Sequence, residues 1–326
     1  MSNTSEKPTI FVTRRWPDAA EEALRQYFTP TFNEQDVPLT EAQIAAGFAN
    51  HDALAPTVSD QITADIIAAG AAGSGRLIAN FGVGVNHIDL PAAASAGLAV
   101  SNTPGVLTEA TADLALTLML MVSRRAGEGE RELRAGKWHG WRPTHLMGRS
   151  LSGKTLGIIG MGRIGKAVAH RAALGFGMKI IFFNRSKVTD ITDYDAKQID
   201  DLDALCAQSD FLSLNCAASA DTFHILNEYR LQRMRAHAYV INTARGDVID
   251  EAALVRALHN GSIGGAGLDV FQGEPDIHPD ILTAPNTVLL PHLGSATVET
   301  RTAMGLKVVE NARAFFAGER LIDPVV

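Results

Sequence analysis

Three side chains that follow predicted strands could together catalyse the reduction, by hydride transfer, of a ketone that lies beside a carboxylate. They are Arg245, Glu274 and His292. A histidine can donate a proton to the alkoxide that hydride transfer leaves, and a carboxylate against its other ring nitrogen fixes the tautomer and stabilises the imidazolium. A guanidinium can bind the substrate carboxylate and polarise the carbonyl. The alternative is charge scattered over a surface.

These side chains would meet only if their strands are neighbours in a parallel sheet. From Leu151 onwards, short apolar runs alternate with helical segments, and the predicted strands are 155–159, 179–183, 211–214, 239–242, 266–270 and 287–290. Such alternation is typical of a doubly wound parallel sheet, which binds ligands beyond the carboxyl ends of its strands. The predicted fold class is therefore α/β, with the three side chains at one rim of the sheet.

The segment Gly160-Met161-Gly162-Arg163-Ile164-Gly165 predicts a dinucleotide site, because a strand precedes it and a helix follows it. Gly160 would make the tight turn, Gly162 would let the backbone approach a pyrophosphate, and Gly165 would let helix and strand pack closely. The phosphates would be bound by N–H groups at the start of the helix. A plain glycine turn is the alternative.

The next strand ends in Asn184-Arg185-Ser186, where a site for NAD usually has an acidic residue that binds the ribose hydroxyls. Asp190 and Asp193 lie too far along the chain to replace it. Asn184, Arg185 and Ser186 would instead bind a 2′-phosphate. NADP(H) is therefore predicted to be preferred, with NAD(H) possible; a solvated turn is the alternative.

Further cofactor contacts are predicted for residues beside strand ends and helix starts, namely Thr108, Arg163, Ile164, Cys216, Thr243, Ala244, Asp269, His292 and Gly294. Thr108 could instead cap a helix, and Asp269 could instead have a structural helix-cap role. Cys216 has neither a paired histidine nor a CxxC partner, which argues against a nucleophile. The histidines lack metal-ligand spacing, so no metal site is predicted.

The bulk properties are those of a two-domain enzyme. The chain has 326 residues, and its net charge of −7 argues against a nucleic-acid surface. Two cysteines cannot form a network of disulfide bridges. Residues 1–8 are polar and predict no signal peptide, and the apolar run 114–122 is too short to span a bilayer. A cytoplasmic protein is predicted.

The first part of the chain is predicted to be a smaller α/β unit. Its strands are predicted at 10–13, 53–58, 77–81 and 99–101. The almost wholly apolar helix 108–123 is predicted to be buried between two domains. Segment 124–148 lacks clear periodicity, and its Trp138 and Trp141 are predicted to anchor a packing or subunit surface.

Four ordered motifs resemble the D-2-hydroxyacid dehydrogenase family. They are the glycine-rich turn already described, Asn242–Gly246, Gly267–Phe271 with Gly273–Pro275, and Pro291–Ser295. The resemblance covers nearly the whole chain, including segment 104–113. It implies that Arg245, Glu274 and His292 are the catalytic set.

The resemblance also implies a domain organisation. Residues 1–102 and 297–326 would form a discontinuous, flavodoxin-like substrate-binding domain, and residues 103–296 a Rossmann dinucleotide-binding domain. A homodimer joined through region 110–150 is expected. Substrate binding is assigned to Leu54, Val83, Gly84, Trp141 and Arg245, with the Val83 and Gly84 backbone N–H groups holding the substrate carboxylate.

Within the family, segment 138–143 and the Asn184-Arg185-Ser186 turn are most similar to the glyoxylate/hydroxypyruvate reductases. In that branch a tryptophan at the place of Trp141 reaches into the partner subunit's site. The predicted activity is NADPH-dependent reduction of glyoxylate or hydroxypyruvate to the D-2-hydroxy acid. The alternatives are a dinucleotide-sensing, co-repressor-like binding protein and a dehydrogenase of formate or phosphite.

Two segments near the expected substrate pocket depart from the family pattern. Ala55-Pro56 replaces a more usual aliphatic pair. Val85-Asn86-His87-Ile88-Asp89 stands where Tyr-Asp-Asn-Ile-Asp is commoner. His87 could line the substrate pocket or lie on the surface.

Overall fold

The protein is described by a computed structural model over residues 6–326. Residues 1–5, part of the stretch that predicts no signal peptide, lie outside the described residues. Within 6–326 no helix is long and apolar enough to cross a membrane. The chain forms two compact units, of which unit 1 comprises the chain up to Leu107 with Ala296–Val326, and unit 2 comprises Thr108–Ser295.

Unit 1 contains a five-stranded parallel sheet. Its strands are β1 (Thr9–Val12), β2 (Thr29–Phe32), β3 (Ala53–Ala55), β4 (Leu77–Ala79) and β5 (Ala99–Ser101). They lie in the order β2-β1-β3-β4-β5, which is the strand order of flavodoxin-like folds.

Five helices belong to unit 1. They are α1 (Asp18–Tyr27), α2 (Glu41–Ala49), α3 (Ala64–Ala72), α4 (Leu90–Ser95) and the last helix of the chain, α12 (Val298–Phe316). The hydroxyl of Thr40 caps α2, and the Gln43 side chain completes a capping box. Helix α12 packs against α1 and β4, so the end of the chain returns to the unit in which it began.

Unit 2 contains a seven-stranded parallel sheet. Its strands are β6 (Thr155–Ile159), β7 (Lys179–Phe183), β8 (Ala196–Gln198), β9 (Phe211–Leu214), β10 (Tyr239–Asn242), β11 (Gly265–Leu268) and β12 (Thr287–Leu289). The order is β12-β11-β10-β9-β6-β7-β8, so β6 is the strand from which the chain winds in both directions. The doubly wound fold predicted from the sequence is confirmed.

The helices of unit 2 lie on both faces of this sheet. They are α5 (Thr108–Ser123), α6 (Ala126–Arg134), α7 (Arg163–Phe176), α8 (Leu202–Gln208), α9 (Glu228–Leu231), α10 (Glu251–His259) and α11 (Pro279–Thr283). Alternate residues of each central strand enter two separate apolar clusters. In β6, for example, Leu156 and Ile158 enter one cluster and Ile159 enters the other. Burial on both faces explains why these strands are continuously apolar.

Two strands were not predicted from the sequence, and both lie at sheet edges. Strand β2 reads Thr29-Pro30-Thr31-Phe32 and β8 reads Ala196-Lys197-Gln198, so neither contains an apolar run. An edge strand needs fewer buried side chains and tolerates proline. Hydrophobicity therefore could not identify them.

One expectation about the segment after α5 is wrong, because 124–148 contains the amphipathic helix α6, none of whose residues is buried. Helix α5 itself packs on the sheet and on α7. In the single chain its Asp113, Thr117 and Leu120 are exposed.

Candidate active site

The glycine-rich turn requires glycine at two of its three positions. Gly160 has a φ of +94°, and a Cβ there would lie 2.6 Å from the backbone nitrogen of Cys216. A Cβ at Gly165 would lie 2.2 Å from the Gly160 carbonyl oxygen. The first glycine therefore makes the turn beside β9, and the last lets α7 pack on that turn.

The start of α7 has the features of a phosphate site. Gly162 precedes the helix and provides no side-chain cap, so the first N–H groups, including those of Arg163 and Ile164, are not capped by it. A Cβ at Gly162 would meet no atom within 4 Å. The turn therefore leaves space beside the positive end of the helix dipole, and these residues fit a dinucleotide pyrophosphate.

Two buried polar atoms at neighbouring strand ends make no hydrogen bond within residues 6–326. They are Asn215 Nδ2, after β9, and Thr243 Oγ1, after β10. Buried polar atoms of this kind usually have a partner in the liganded or hydrated protein. Thr243 was predicted to contact the cofactor, whereas Asn215 was not among the predicted contacts although it follows a predicted strand.

The predicted ribose turn is built around Asn184. Its Oδ1 accepts a hydrogen bond from Met161 N at 3.1 Å, and its Nδ2 donates to Ser186 O at 3.0 Å and to Ser186 Oγ at 3.1 Å. Asn184 therefore links this turn to the glycine-rich turn. Arg185 and Lys187 are exposed and have no ion-pair partner in the described part of the chain, whereas Asp190 is paired with Lys166 at 2.5 Å.

A second asparagine organises the turn that carries Arg245. Asn242 Nδ2 donates to Arg245 O at 2.9 Å, and Asn242 Oδ1 accepts from Ala244 N at 3.0 Å. A Cβ at Gly246 would lie 1.9 Å from the Phe271 carbonyl carbon. The glycine thus allows the Arg245 turn to contact the backbone of the segment that leads to Glu274.

Arg245 is partly buried, and its Nη1 donates to Ala244 O at 2.7 Å. Burial lowers the pKa of the guanidinium, although the negative charge of Glu274 opposes that shift. The guanidinium nevertheless stays charged at any physiological pH. A desolvated, fixed cation of this kind is suited to bind an anion.

His292 and Glu274 form the hydrogen-bonded pair predicted from the sequence. His292 Nδ1 lies 2.7 Å from Glu274 Oε2, and Glu274 Oε1 accepts from Phe271 N at 2.7 Å. Burial alone would raise the pKa of Glu274, but the hydrogen bond and charge of His292 outweigh burial and lower that pKa. Glu274 is therefore an anion at neutral pH, and the proton on His292 Nδ1 leaves Nε2 as the nitrogen that can exchange a proton.

Asp269 holds His292 in an unusual conformation. His292 has a φ of +55°, and its backbone nitrogen donates to Asp269 O at 2.9 Å. The buried Asp269 carboxylate accepts hydrogen bonds from Leu293 N at 2.6 Å and Gly294 N at 2.8 Å. Its partners do not belong to a helix, so the alternative that Asp269 caps a helix is wrong.

Burial also changes the acidity of Asp269. It raises the pKa of the carboxyl to about 6, against the opposing effects of the two backbone hydrogen bonds and of the His292 charge. On the other side of this turn, the Thr111 hydroxyl donates to Gly294 O at 3.0 Å. The proposed proton donor is therefore carried by a turn whose hydrogen bonds depend on an ionised Asp269.

The structure bears on the alternative roles of Thr108 and Cys216, which are helix capping and nucleophilic catalysis. Thr108 begins α5, but its hydroxyl makes no hydrogen bond within 6–326, so it does not act as a cap. Burial raises the pKa of the Cys216 thiol to about 11, which leaves it protonated at neutral pH. A protonated, buried thiol argues against a nucleophilic role for Cys216.

In unit 1, the loop 82–84 has its carbonyl groups bonded and two of its N–H groups open. The Gly82 carbonyl accepts from Thr103 N at 3.0 Å, and the Val83 carbonyl accepts from Asn102 Nδ2 at 2.8 Å. The N–H groups of Val83 and Gly84 have no acceptor within the described residues. Adjacent open N–H groups are suited to a carboxylate.

The burial of Leu54 and His87 bears on the roles expected for them. Leu54 is completely buried in the core and pairs across the sheet with Ile78, so its position does not support a substrate contact. Val58 instead lies beside loop 82–84, because its Cγ1 is 2.8 Å from the place of a Gly82 Cβ. The surface alternative for His87 is wrong, since this residue is 4% exposed.

Trp138 and Trp141 are 51% and 82% exposed. The segment that carries them is attached to α6 by His145, whose Nε2 lies 3.2 Å from Glu132 Oε1. Such exposed tryptophans are typical of an association surface. The predicted subunit contact and substrate contact of Trp141 stay predictions.

The sequence matches the family model for the NAD binding domain of D-isomer specific 2-hydroxyacid dehydrogenases over residues 116–294. A glyoxylate reductase of Korarchaeum cryptofilum is 41% identical over 316 residues, which cover 96% of this chain and 94% of that protein. The chain belongs to the D-isomer specific 2-hydroxyacid dehydrogenase family. It is therefore an oxidoreductase with a nicotinamide-dinucleotide binding domain, and it acts in the interconversion of keto and hydroxy acids.

Solved structures agree with this family assignment. A protein from Thermus thermophilus is 40% identical with a TM-score of 0.88, and 98% of this chain and 100% of that chain are covered. An NADPH-dependent glyoxylate/hydroxypyruvate reductase from Sinorhizobium meliloti, in complex with NADP and malonate, is 34% identical with a TM-score of 0.87, and the coverage is 98% and 97%. The fold class, family and enzyme class predicted from the sequence are confirmed.

Gly165→Ala is expected to lower the free energy of unfolding by about 2 kcal/mol, although alanine is the better helix former by about 1 kcal/mol. The reason is the 2.2 Å approach of the new Cβ to Gly160 O. Gly162→Ala is the matched control, since its Cβ meets no protein atom within 4 Å. It should keep the stability of the cofactor-free protein and weaken dinucleotide binding.

Urea denaturation without cofactor and fluorescence titration with NADPH measure the two effects. Equal stabilities for the two variants would contradict the packing role of Gly165. Unchanged NADPH affinity in Gly162→Ala would contradict the phosphate site.

Proposed function

We propose that the protein reduces glyoxylate and hydroxypyruvate to the D-2-hydroxy acids, with NADPH as the reductant. The observation that carries this proposal is the 2.7 Å hydrogen bond between His292 Nδ1 and Glu274 Oε2, which leaves Nε2 to exchange a proton. The names of the related proteins, glyoxylate reductase and glyoxylate/hydroxypyruvate reductase, support the choice of substrate.

His292 is the proposed proton donor. The reduced nicotinamide, when bound, supplies a hydride to the keto carbon. Protonated His292 then donates from Nε2 to the resulting alkoxide oxygen, while Glu274 keeps the other ring nitrogen protonated and stabilises the imidazolium charge. The turn fixed by Asp269 sets the direction of the ring.

Two further groups are proposed to bind the substrate. The Arg245 guanidinium, partly desolvated and fixed by its bond to Ala244 O, polarises the keto oxygen and binds the carboxylate. The open N–H groups of Val83 and Gly84 bind the same carboxylate. Backbone donors at this loop would select for the negative charge that every 2-keto acid shares.

The NADPH preference rests on charge at the predicted ribose turn. Arg185 and Lys187 are exposed cations without an ion-pair partner in the described chain, and the nearest acid beyond them, Asp190, is paired with Lys166. A 2′-phosphate would be attracted to this turn, and no free carboxylate repels it. That the Sinorhizobium meliloti reductase is NADPH-dependent supports the same choice.

A homodimer joined through region 110–150 is also proposed. The exposed tryptophans of this region, 51% and 82% accessible in the single chain, support an association surface. In that dimer Trp141 would reach the partner subunit's site. Size-exclusion chromatography with light scattering reports the mass directly.

The function is tested by oxidation of NADPH, and then of NADH, with glyoxylate, hydroxypyruvate and pyruvate. We expect fastest turnover with NADPH and the first two acids. His292→Gln should lose about 99% or more of kcat, because general acid catalysis contributes about 100-fold or more, while NADPH binding is kept. Tight NADPH binding without turnover of any 2-keto acid would instead favour the dinucleotide-sensing alternative.

Arg185→Asp is expected to lower the NADPH to NADH ratio of kcat/KM by about tenfold or more, since charge-assisted hydrogen bonds to a phosphate contribute about 1.5–3 kcal/mol. Lys179→Asp is the matched control. It makes the same change of charge at the opposite end of β7. An unchanged ratio in Arg185→Asp would show that the phosphate is bound elsewhere.

Asp269→Asn is expected to remove the fall in kcat that the wild type should show at acidic pH. In the wild type, Asp269 with a pKa of about 6 becomes protonated as the pH falls through that value, and it then loses acceptor capacity for Leu293 and Gly294. Glu274 stays ionised there, because its pKa is lowered. Reduction should therefore slow below pH 6 in the wild type.

The asparagine variant has one acceptor oxygen at every pH. Its kcat should be about tenfold lower at neutral pH and nearly constant from about pH 5 to about pH 8. Stopped-flow or steady-state rates over this range provide the measurement. If kcat of the variant still falls near pH 6, a group other than Asp269 causes that fall.

A further inference from the structure

We propose that Asn80 and His87 form a positioning pair, which holds the backbone of residues 82–84 so that the Val83 and Gly84 N–H groups stay open to a carboxylate. The inference rests on the proposed function, because it deepens the carboxylate-binding role of this loop. The sequence motifs assign no role to Asn80, and for His87 they leave open only whether it lines the substrate pocket.

The Asn80 side chain lies at the centre of the loop. Asn80 directly follows β4 and is 0% exposed. Its Nδ2 donates to Gly82 O at 3.0 Å and to Gly84 O at 3.0 Å. One amide group therefore binds two carbonyls of the loop that it introduces.

These contacts determine which way the amide points. Carbonyl oxygens only accept, so the atom that faces Gly82 O and Gly84 O must be the nitrogen. Asn80 Oδ1 then faces His87 Nε2 at 3.0 Å, and because an amide oxygen cannot donate, His87 Nε2 must carry the proton. His87 is 4% exposed, so this bond is made away from bulk water.

All three carbonyls of the loop are held by this arrangement and its neighbours. Gly82 O and Gly84 O are bound by Asn80, and Val83 O is bound by Asn102 Nδ2 at 2.8 Å. Carbonyls fixed towards the protein direct the intervening N–H groups away from it. This is the state in which Val83 N and Gly84 N have no acceptor within residues 6–326.

Loss of the His87 donor would disturb this loop. Asn80 Oδ1 would become a buried acceptor without a partner, and the amide would turn to find a donor. A turned amide would direct its oxygen at a carbonyl oxygen, and the two oxygens repel each other. The substrate carboxylate would then be bound less well, whereas the glycine-rich turn at the start of α7 would be unchanged.

Three substitutions at His87 separate the hydrogen bond from the size of the side chain. In His87→Gln the amide nitrogen can occupy the place of Nε2 and can donate to Asn80. In His87→Asn the shorter side chain places its nitrogen near the former Nδ1, and His87→Leu has no donor. His51→Leu is the control, since His51 is a unit 1 histidine with hydrogen bonds at both ring nitrogens, to Gly47 O and Thr31 Oγ1.

The measurements are KM and kcat for glyoxylate, the dissociation constant for NADPH and the melting temperature. We expect KM to rise about tenfold or more in His87→Asn and His87→Leu, with a smaller change in kcat. NADPH affinity should stay within about twofold of the wild type, and His87→Gln and His51→Leu should keep a KM near that of the wild type. This pattern supports the positioning pair.

Two kinetic results would overturn the proposal. One is a wild-type KM in both His87→Asn and His87→Leu. The other is an equal rise of KM in all three His87 variants, which would show that only the ring volume matters.

The tautomer of His87 provides a second test that needs no activity. A two-bond proton–nitrogen correlation spectrum of the 15N-histidine-labelled wild type should show His87 with its proton on Nε2, and the signal is assigned by its absence in His87→Gln. A proton on Nδ1 alone would overturn the proposal even if His87→Asn and His87→Leu fail to fold. A wild type without turnover of 2-keto acids would refute the proposed function, and the tautomer would still decide the pairing.

Discussion

The candidate active site depends on the hydrogen bonds between the buried Asp269 carboxylate and the backbone of Leu293 and Gly294. They fix His292 at a φ of +55°, a conformation that costs a non-glycine residue about 1 kcal/mol or more. Strain of this size persists only where surrounding contacts determine the conformation. Here the carboxylate, the Asp269 carbonyl and the Thr111 hydroxyl all bind the same turn, and the imidazole can therefore be directed at Glu274.

The same principle recurs at three other strand ends, where an asparagine binds the loop that follows it. Asn80 follows β4, Asn184 follows β7, and Asn242 ends β10. Each uses its side-chain amide on backbone groups a few residues further along the chain, and Asn184 also binds Met161 N. The amide of asparagine both donates and accepts close to its own backbone, which suits a loop that has no ladder partner. The groups proposed to bind ligands are thus carried by loops whose backbone is hydrogen-bonded within the chain.

The sequence predicted those parts of the fold that depend on local pattern. The central strands were predictable because both of their faces are buried, and the glycine-rich turn because Gly160 and Gly165 have no room for a Cβ. The pairing of Glu274 with His292 followed from the rule that strand ends meet at one rim. Edge strand β8 and helix α6 were missed because Ala196-Lys197-Gln198 has no apolar run and α6 buries no residue. Leu54 was misplaced for a related reason, since a strand of three buried residues does not reveal which side chain faces a ligand.

What the sequence could not provide was the direction of polar groups between distant segments. Asp269 meets backbone donors 24 and 25 residues further along the chain, and no spacing rule selects them. Among the polar groups that have no internal partner in the described chain are the Val83 and Gly84 N–H groups, Asn215 Nδ2 and Thr243 Oγ1. Leaving a buried polar atom without a partner costs about 1–3 kcal/mol, so a fold keeps few of them. Since the asparagines satisfy most of the neighbouring backbone, ligand binding at the open groups of the proposed site would recover part of that free energy.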